Sequence, residues 1–124
     1  MWLHRRQDSY LLDLTKGDAM QFTVVAYDHR DSDAPTRRMN ARNDHVALGD
    51  KMRDAGQLLY AVAILNDVSQ MIGSIMIVDL PSKGDLDHWL SIEPYLTGKV
   101  WDTVQVLPCR VGPSFARATP TAAS

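Results

Sequence analysis

The 124-residue sequence has a single cysteine, Cys109, so no disulfide can close within it. A reducing compartment is the simplest setting for such a chain. Long apolar runs are missing too: nothing approaches the roughly 20 consecutive apolar residues that a membrane-crossing helix needs. Near the N-terminus, Arg5 and Arg6 precede the polar stretch Gln7-Asp8-Ser9-Tyr10, and the patch Leu11-Leu12-Asp13-Leu14 is broken by a charge. Neither a secretory nor a twin-arginine signal is built this way, and cytoplasmic residence is the expectation. No sign of charge dominates. The formal charge is -2 with acids and bases interspersed, which leaves no basic footprint for nucleic acid. There is no internal repeat, no Walker loop, no dinucleotide fingerprint and no G-x-S-x-G elbow. His4, His29, His45 and His88 show no HxH or HxxxH spacing, so neither a metal nor another cofactor is expected.

What is present reads as one ordinary globular domain, with 45% hydrophobic and 23% charged residues. Residues 1–19 look like an N-terminal extension, in which Tyr10 to Leu14 fits an edge strand or a docked helical turn; Met20 equally fits a start of translation. From Met20 to Tyr27, β-branched and aromatic residues alternate, with Phe22, Val24 and Ala26 on one face. A polar loop, Asp28 to Pro35, leads into a helix ending near Ala55-Gly56. Its start is obscured by Asn40, Asn43 and Asp44, which are poor interior residues. Ala41, His45, Leu48, Met52 and Ala55 recur at steps of three and four and share a face. Leu58 to Leu65, almost wholly apolar, reads as a central strand covered on both sides. Asn66 to Gln70 turn the chain back into a strand over Met71 to Leu80. Ser82 with Asp85 forms a capping box for a second helix, whose apolar residues are Leu86, Trp89 and Leu90. Pro94 ends that helix at Glu93, and Trp101 to Leu107 is the last strand. Residues 20–111 thus form the domain and 112–124 a flexible tail.

The order strand, helix, strand, strand, helix, strand predicts an α+β, ferredoxin-like βαββαβ fold. Two crossovers of one hand would set both helices on one face of a four-stranded antiparallel sheet. The other face would stay open, and a second copy of the sheet is its natural cover, giving a homodimer.

Several ordered segments resemble the YCII-related family. Arg42-Asn43-Asp44-His45 resembles its R-x-x-H, Ala55-Gly56-Gln57-Leu58-Leu59-Tyr60-Ala61 its G-x-L-L-x-A strand, and Ile72-Gly73-Ser74 its I-G-S strand. Glu93-Pro94-Tyr95 with Gly98 resembles its D-P-Y-x-x-x-G stretch. The resemblance covers roughly residues 20–111. It implies a dimeric α+β barrel with a pocket beside the His-bearing helix and a His–Asp pair in a catalytic role. A few such proteins resemble lyases acting on chlorinated, hydroxylated aromatics. The family's acid follows the central strand; here Asn66 is its counterpart, with Asp67 adjacent but turned to the opposite face of the strand.

His45 is the candidate catalytic residue, since imidazole titrates near neutral pH. The competing role is a core histidine bonded to a backbone carbonyl. Arg42, one turn earlier, is suited to a substrate carboxylate or phenolate; its commoner fate is a surface ion pair. Asn66 and Asp67 would orient the imidazole, or simply make the turn. Ser74 and Tyr95 would bind substrate, or serve as a small packing residue and an amphipathic rim residue. Two functions follow. One is a cofactor-independent lyase or isomerase in which His45 moves a proton on an aromatic or enol-type small molecule. The other is a non-catalytic dimeric module that binds a metabolite or a protein.

Overall fold

The computed structural model describes residues 20–116; the extension over 1–19 and the tail beyond 116 lie outside the described residues. Its elements are β1 (Met20–Asp28), α1 (Ala34–Asp54), β2 (Leu58–Leu65), β3 (Met71–Leu80), α2 (Lys83–Ile92), α3 (Pro94–Thr97) and β4 (Trp101–Cys109). The four strands form one antiparallel sheet in the order β2-β3-β1-β4, the arrangement of a ferredoxin-like α+β fold. No helix among the described residues is long and apolar enough to cross a membrane.

Alternation in β1 sets the two faces. Met20, Phe22, Val24 and Ala26 are buried and join Met76, Val78 and Val106 of the neighbouring strands in the core. Met52 of α1 and Leu86 and Trp89 of α2 close over them, so the helices share one side. The opposite face carries cross-strand rows that follow from the register. One runs Val62, Ile75, Val25, Gln105; another runs Tyr60, Ile77, Thr23, Leu107.

Three expectations change. Helix α1 begins at Ala34 and runs through Asn40, Asn43 and Asp44, because packing outweighs their weak propensity. Its first turn is tied down instead by Arg37, whose guanidinium bonds the Asp31 carboxylate and the Lys99 carbonyl. Second, β2 is an edge strand and not a central one. Its apolar length reflects a lack of cover within the chain, and Tyr60, Val62 and Leu65 are all exposed. Third, Pro94 ends α2 but opens the short helix α3, for which Glu93 is the N-cap.

Of the segment expected as a tail, residues 112–116 are described. Pro113–Phe115 form a 3-10 turn. Val111 N–H donates to Gln21 Oε1 at 2.7 Å, and the Tyr60 hydroxyl donates to Phe115 O at 2.9 Å. Since β4 and β2 are opposite edges, this stretch crosses one end of the open face.

Candidate functional site

Helix α3 and its cap build the site against α1. Gly98, just after α3, lies so close that a Cβ there would come within 3.3 Å of Ala41 Cβ and 2.8 Å of the Pro94 carbonyl oxygen. This close approach brings Glu93 and Tyr95 onto His45. The Glu93 side chain is almost fully enclosed, at 1% exposure, and its Oε1 accepts from His45 Nδ1 and from Tyr95 N–H. A carboxylate acceptor at Nδ1 puts the hydrogen on that nitrogen and leaves Nε2 as the one able to take a proton. The Tyr95 ring stacks on the imidazole, with centroids 3.7 Å apart and planes within 9°. Trp101 meets both rings edge-on, at 6.1 and 5.8 Å. Burial pushes the Tyr95 phenol upward, against the pull of Arg38 and Arg42, so it is protonated at neutral pH.

A second polar group adjoins this one. Arg38 is buried and bonds both Asp28 carboxylate oxygens through Nη1, at 2.9 and 2.8 Å. Its Nη2 reaches the Gly73 carbonyl at 3.3 Å and Ser74 Oγ at 3.4 Å. The guanidinium carbon lies 4.7 Å from the centre of the Tyr95 ring, a cation–π contact. Trp101 Nε1 also donates to Ser74 Oγ. Ser74 is therefore a hub joining β3, β4 and α1 as well as a small packing residue.

Arg42, His45, Ser74 and Tyr95 line one cavity of about 160 Å³, together with Arg38 and with Ala61, Val62 and Ala63 of β2. Four of the six residues singled out from sequence thus converge. Asn66 and Asp67 do not. Asn66 Oδ1 accepts from the Val68 and Gln70 amides, and its Nδ2 donates to Gln70 Oε1, so it holds the β2–β3 turn. Asp67 is exposed in that turn. The acid beside His45 is Glu93, 48 residues away in sequence. Its signal was the Glu93-Pro94-Tyr95 stretch, which reads as a helix stop and as the counterpart of the family's D-P-Y-x-x-x-G, while the sequence assigns the acid's role to Asn66 and Asp67. Arg38 also escaped notice, although it continues the α1 stripe one step before Ala41.

A larger cavity of about 610 Å³ lies on the other side of Arg38, between the β1–α1 loop and the start of β3. Its acids are already engaged: Asp28 with Arg38 and Asp31 with Arg37. His29 there is half-exposed and lies 3.7 Å from Asp102. The His45 cleft carries the enclosed imidazole–carboxylate pair and is the stronger site. Among the described residues no three His, Cys, Asp or Glu side chains converge as a metal ion would require.

The fold is similar to that of 5-chloro-2-hydroxyhydroquinone dehydrochlorinase from Burkholderia phenoliruptrix, solved in complex with 2,5-dihydroxybenzoquinone. The TM-score is 0.66 at 16% identity, over 77% of this chain and 98% of that one. No curated protein matches the sequence. The profile of the YCII-related domain matches residues 20–110, and on that match, which spans most of its length, the chain belongs to the YCII-related family.

Proposed function

We propose that this protein binds a small aromatic or enol-type molecule beside His45 and acts on it as a lyase or isomerase that needs no cofactor. One observation carries the reading: an imidazole tied through Nδ1 to an enclosed carboxylate, stacked on Tyr95 and lining a cavity with Arg42. Glu93 holds the ring through Nδ1 and leaves Nε2 as the nitrogen that takes the proton. The proton would come from a substrate O–H or C–H. The electron pair left behind would spread through the conjugated system toward an oxygen near Arg42. In an elimination, a leaving group on the conjugated carbon then departs with its bonding pair. In an isomerisation, His45 returns the proton to another carbon. The binding-only alternative drew its support from Asn66 in place of an acid, and Glu93 removes that ground. We also propose that the protein acts as a homodimer, since the open sheet face and β2 are apolar and uncovered.

A thermal-shift screen tests the pocket, with 2,5-dihydroxybenzoquinone, hydroxylated benzenes and simple carboxylates as probes. A true ligand at about 100 times its Kd adds about 2.7 kcal/mol of stability. His45→Gln should remove turnover, or weaken binding of the best probe, while melting stays cooperative. A stability loss of about 1–3 kcal/mol with unchanged probe binding would instead mark a structural histidine.

A further inference from the structure

The cleft beside His45 has two sides of different chemistry. One is the cavity already described, walled by Arg38, Arg42, Ser74 and Tyr95. The other, about 220 Å³, shares His45, Val46, Ala61 and Met76 with it and continues past Gly49 of α1 and Leu58 and Leu59 of β2. The two form one groove between α1 and β2, with His45 where they meet. A cavity of about 150 Å³ takes a benzene-sized ring, so each lobe has room for roughly one ring.

Charge separates the lobes. Arg38 is neutralised by Asp28, His45 is held by Glu93, and Arg53 at the outer rim is paired with Asp50 and Asp54. Arg42 has no ion-pair or hydrogen-bond partner among the described residues, and it lines the polar lobe. The outer lobe has an apolar floor of Leu58 and Met76, both buried. Its width depends on Gly49, in the interior of a 21-residue helix, where glycine costs about 1 kcal/mol against alanine. A Cβ at Gly49 would point at Leu58, 3.4 Å from its Cδ2. Larger side chains would therefore fill the lobe.

We infer that the ligand of this groove is a two-part molecule. A ring-sized anion, phenolate, enolate or carboxylate, sits against Arg42. An apolar substituent of up to ring size lies over Gly49, Leu58 and Met76, and the reacting bond lies between them at His45. Gly49 is the specificity-determining residue for the substituent. The inference rests on the reading of the His45 groove as a ligand site.

Three probes test it by ligand-observed NMR titration: 2-hydroxybenzoate, 4-phenyl-2-hydroxybenzoate and neutral 3-phenylphenol. The two-ring anion should bind at least about tenfold tighter than the one-ring anion, since even a methylene in an apolar pocket is worth that much. Gly49→Val should erase this advantage and leave the one-ring affinity unchanged. Gly49→Ala, which suits the helix better than glycine, should reduce it in part. Arg42→Gln should weaken both anions alike and spare 3-phenylphenol. Equal responses of the one-ring and two-ring anions to Gly49→Val, or indifference of the anions to Arg42→Gln, overturn the inference. If these responses hold while His45→Gln changes neither affinity nor turnover, the two-part ligand stands and the proton-transfer reading falls. Failure of all three probes to bind the unmodified protein overturns both.

Discussion

Arg38 and Asp28 are withdrawn from water together, with side chains 7% and 8% exposed. Removing one partner of such a pair strands the other charge, which typically costs about 3–5 kcal/mol. Asp28→Asn should lose stability on that scale in urea unfolding. Replacing both, as Asp28→Asn with Arg38→Met, should recover much of the loss, because no uncompensated charge remains. A single-variant loss below about 1 kcal/mol, as for an exposed pair, would show that water reaches the pair. The same residues show what could be read beforehand. His45, Arg42, Ser74 and Tyr95 were legible because each sits within a short pattern on one element. Arg38 and Asp28 were not, and of Glu93 only its place in the same pattern as Tyr95 was, because the roles of all three depend on contacts between elements. No local spacing reports that α3 lies against α1, and Asn66 attracted the acid's role only through its position after β2.

The order and type of the elements follow from periodicity: alternation in β1, the three-four stripe of α1 and the Ser82 cap of α2, whose Oγ accepts from Asp85 N–H. Burial of β2 did not follow, since an apolar run looks the same in a central strand and in an edge strand awaiting a cover. Two glycines make opposite predictions at this scale. Gly73 pairs with Tyr27, and a Cβ there would stand 2.4 Å from the Ala26 carbonyl oxygen. Gly73→Ala should therefore cost about 1–3 kcal/mol through overpacking, and should disturb the Arg38 bond to the Gly73 carbonyl. Gly84, in the first turn of α2, meets only Ser82 Oγ at 3.6 Å. Gly84→Ala should raise stability by about 0.4–1 kcal/mol by restricting the unfolded chain. Melting curves of the two variants should move in opposite directions; a shift in the same direction would contradict the register of β1 and β3. The start of α1 gives a pH test. Hydrogen bonds from Arg37 hold the Asp31 carboxyl well below the ordinary carboxylate value of 3.8. A carboxylate lowered on folding stabilises the fold above its unfolded pKa, and that contribution fades as pH falls through the lowered value. Arg37→Gln should thus lower the melting temperature slightly near neutrality, by an amount that shrinks as the pH drops below 3.8. A difference that grows with acid would contradict the pairing.

On the scale of the molecule, the strand pattern and the described fold both begin at Met20. A chain lacking residues 1–19 should fold cooperatively, and unfolding or aggregation of that chain would make the extension part of the domain. The proposed homodimer follows from the sheet itself. Its helix side is closed by α1 and α2, but its other side presents Val62, Ile75 and Val25 in one row and Tyr60 and Ile77 in the next. Tyr27, Tyr60 and Val62 are 46%, 41% and 55% exposed in the single chain, and the segment from Val111 to Phe115 crosses only the end of the face that carries Gln21. Apolar rows on adjacent strands make a contiguous patch of the kind that marks an interaction surface, and a two-fold pairing of identical sheets covers both copies at once. Light scattering at micromolar concentration should return twice the 13.9 kDa chain mass. Ile75→Asp, in the middle of the same open-face row, should shift the protein toward monomer, whereas Ile92→Lys, which is 47% exposed on the helix side, should leave the mass unchanged. Because Ile75 does not line the groove beside His45, the Ile75→Asp monomer should still bind a ligand of that groove if it stays folded. A loss of binding together with the dimer would mean that the partner helps to shape the groove, and a stable monomer of the unmodified chain would end the dimeric reading.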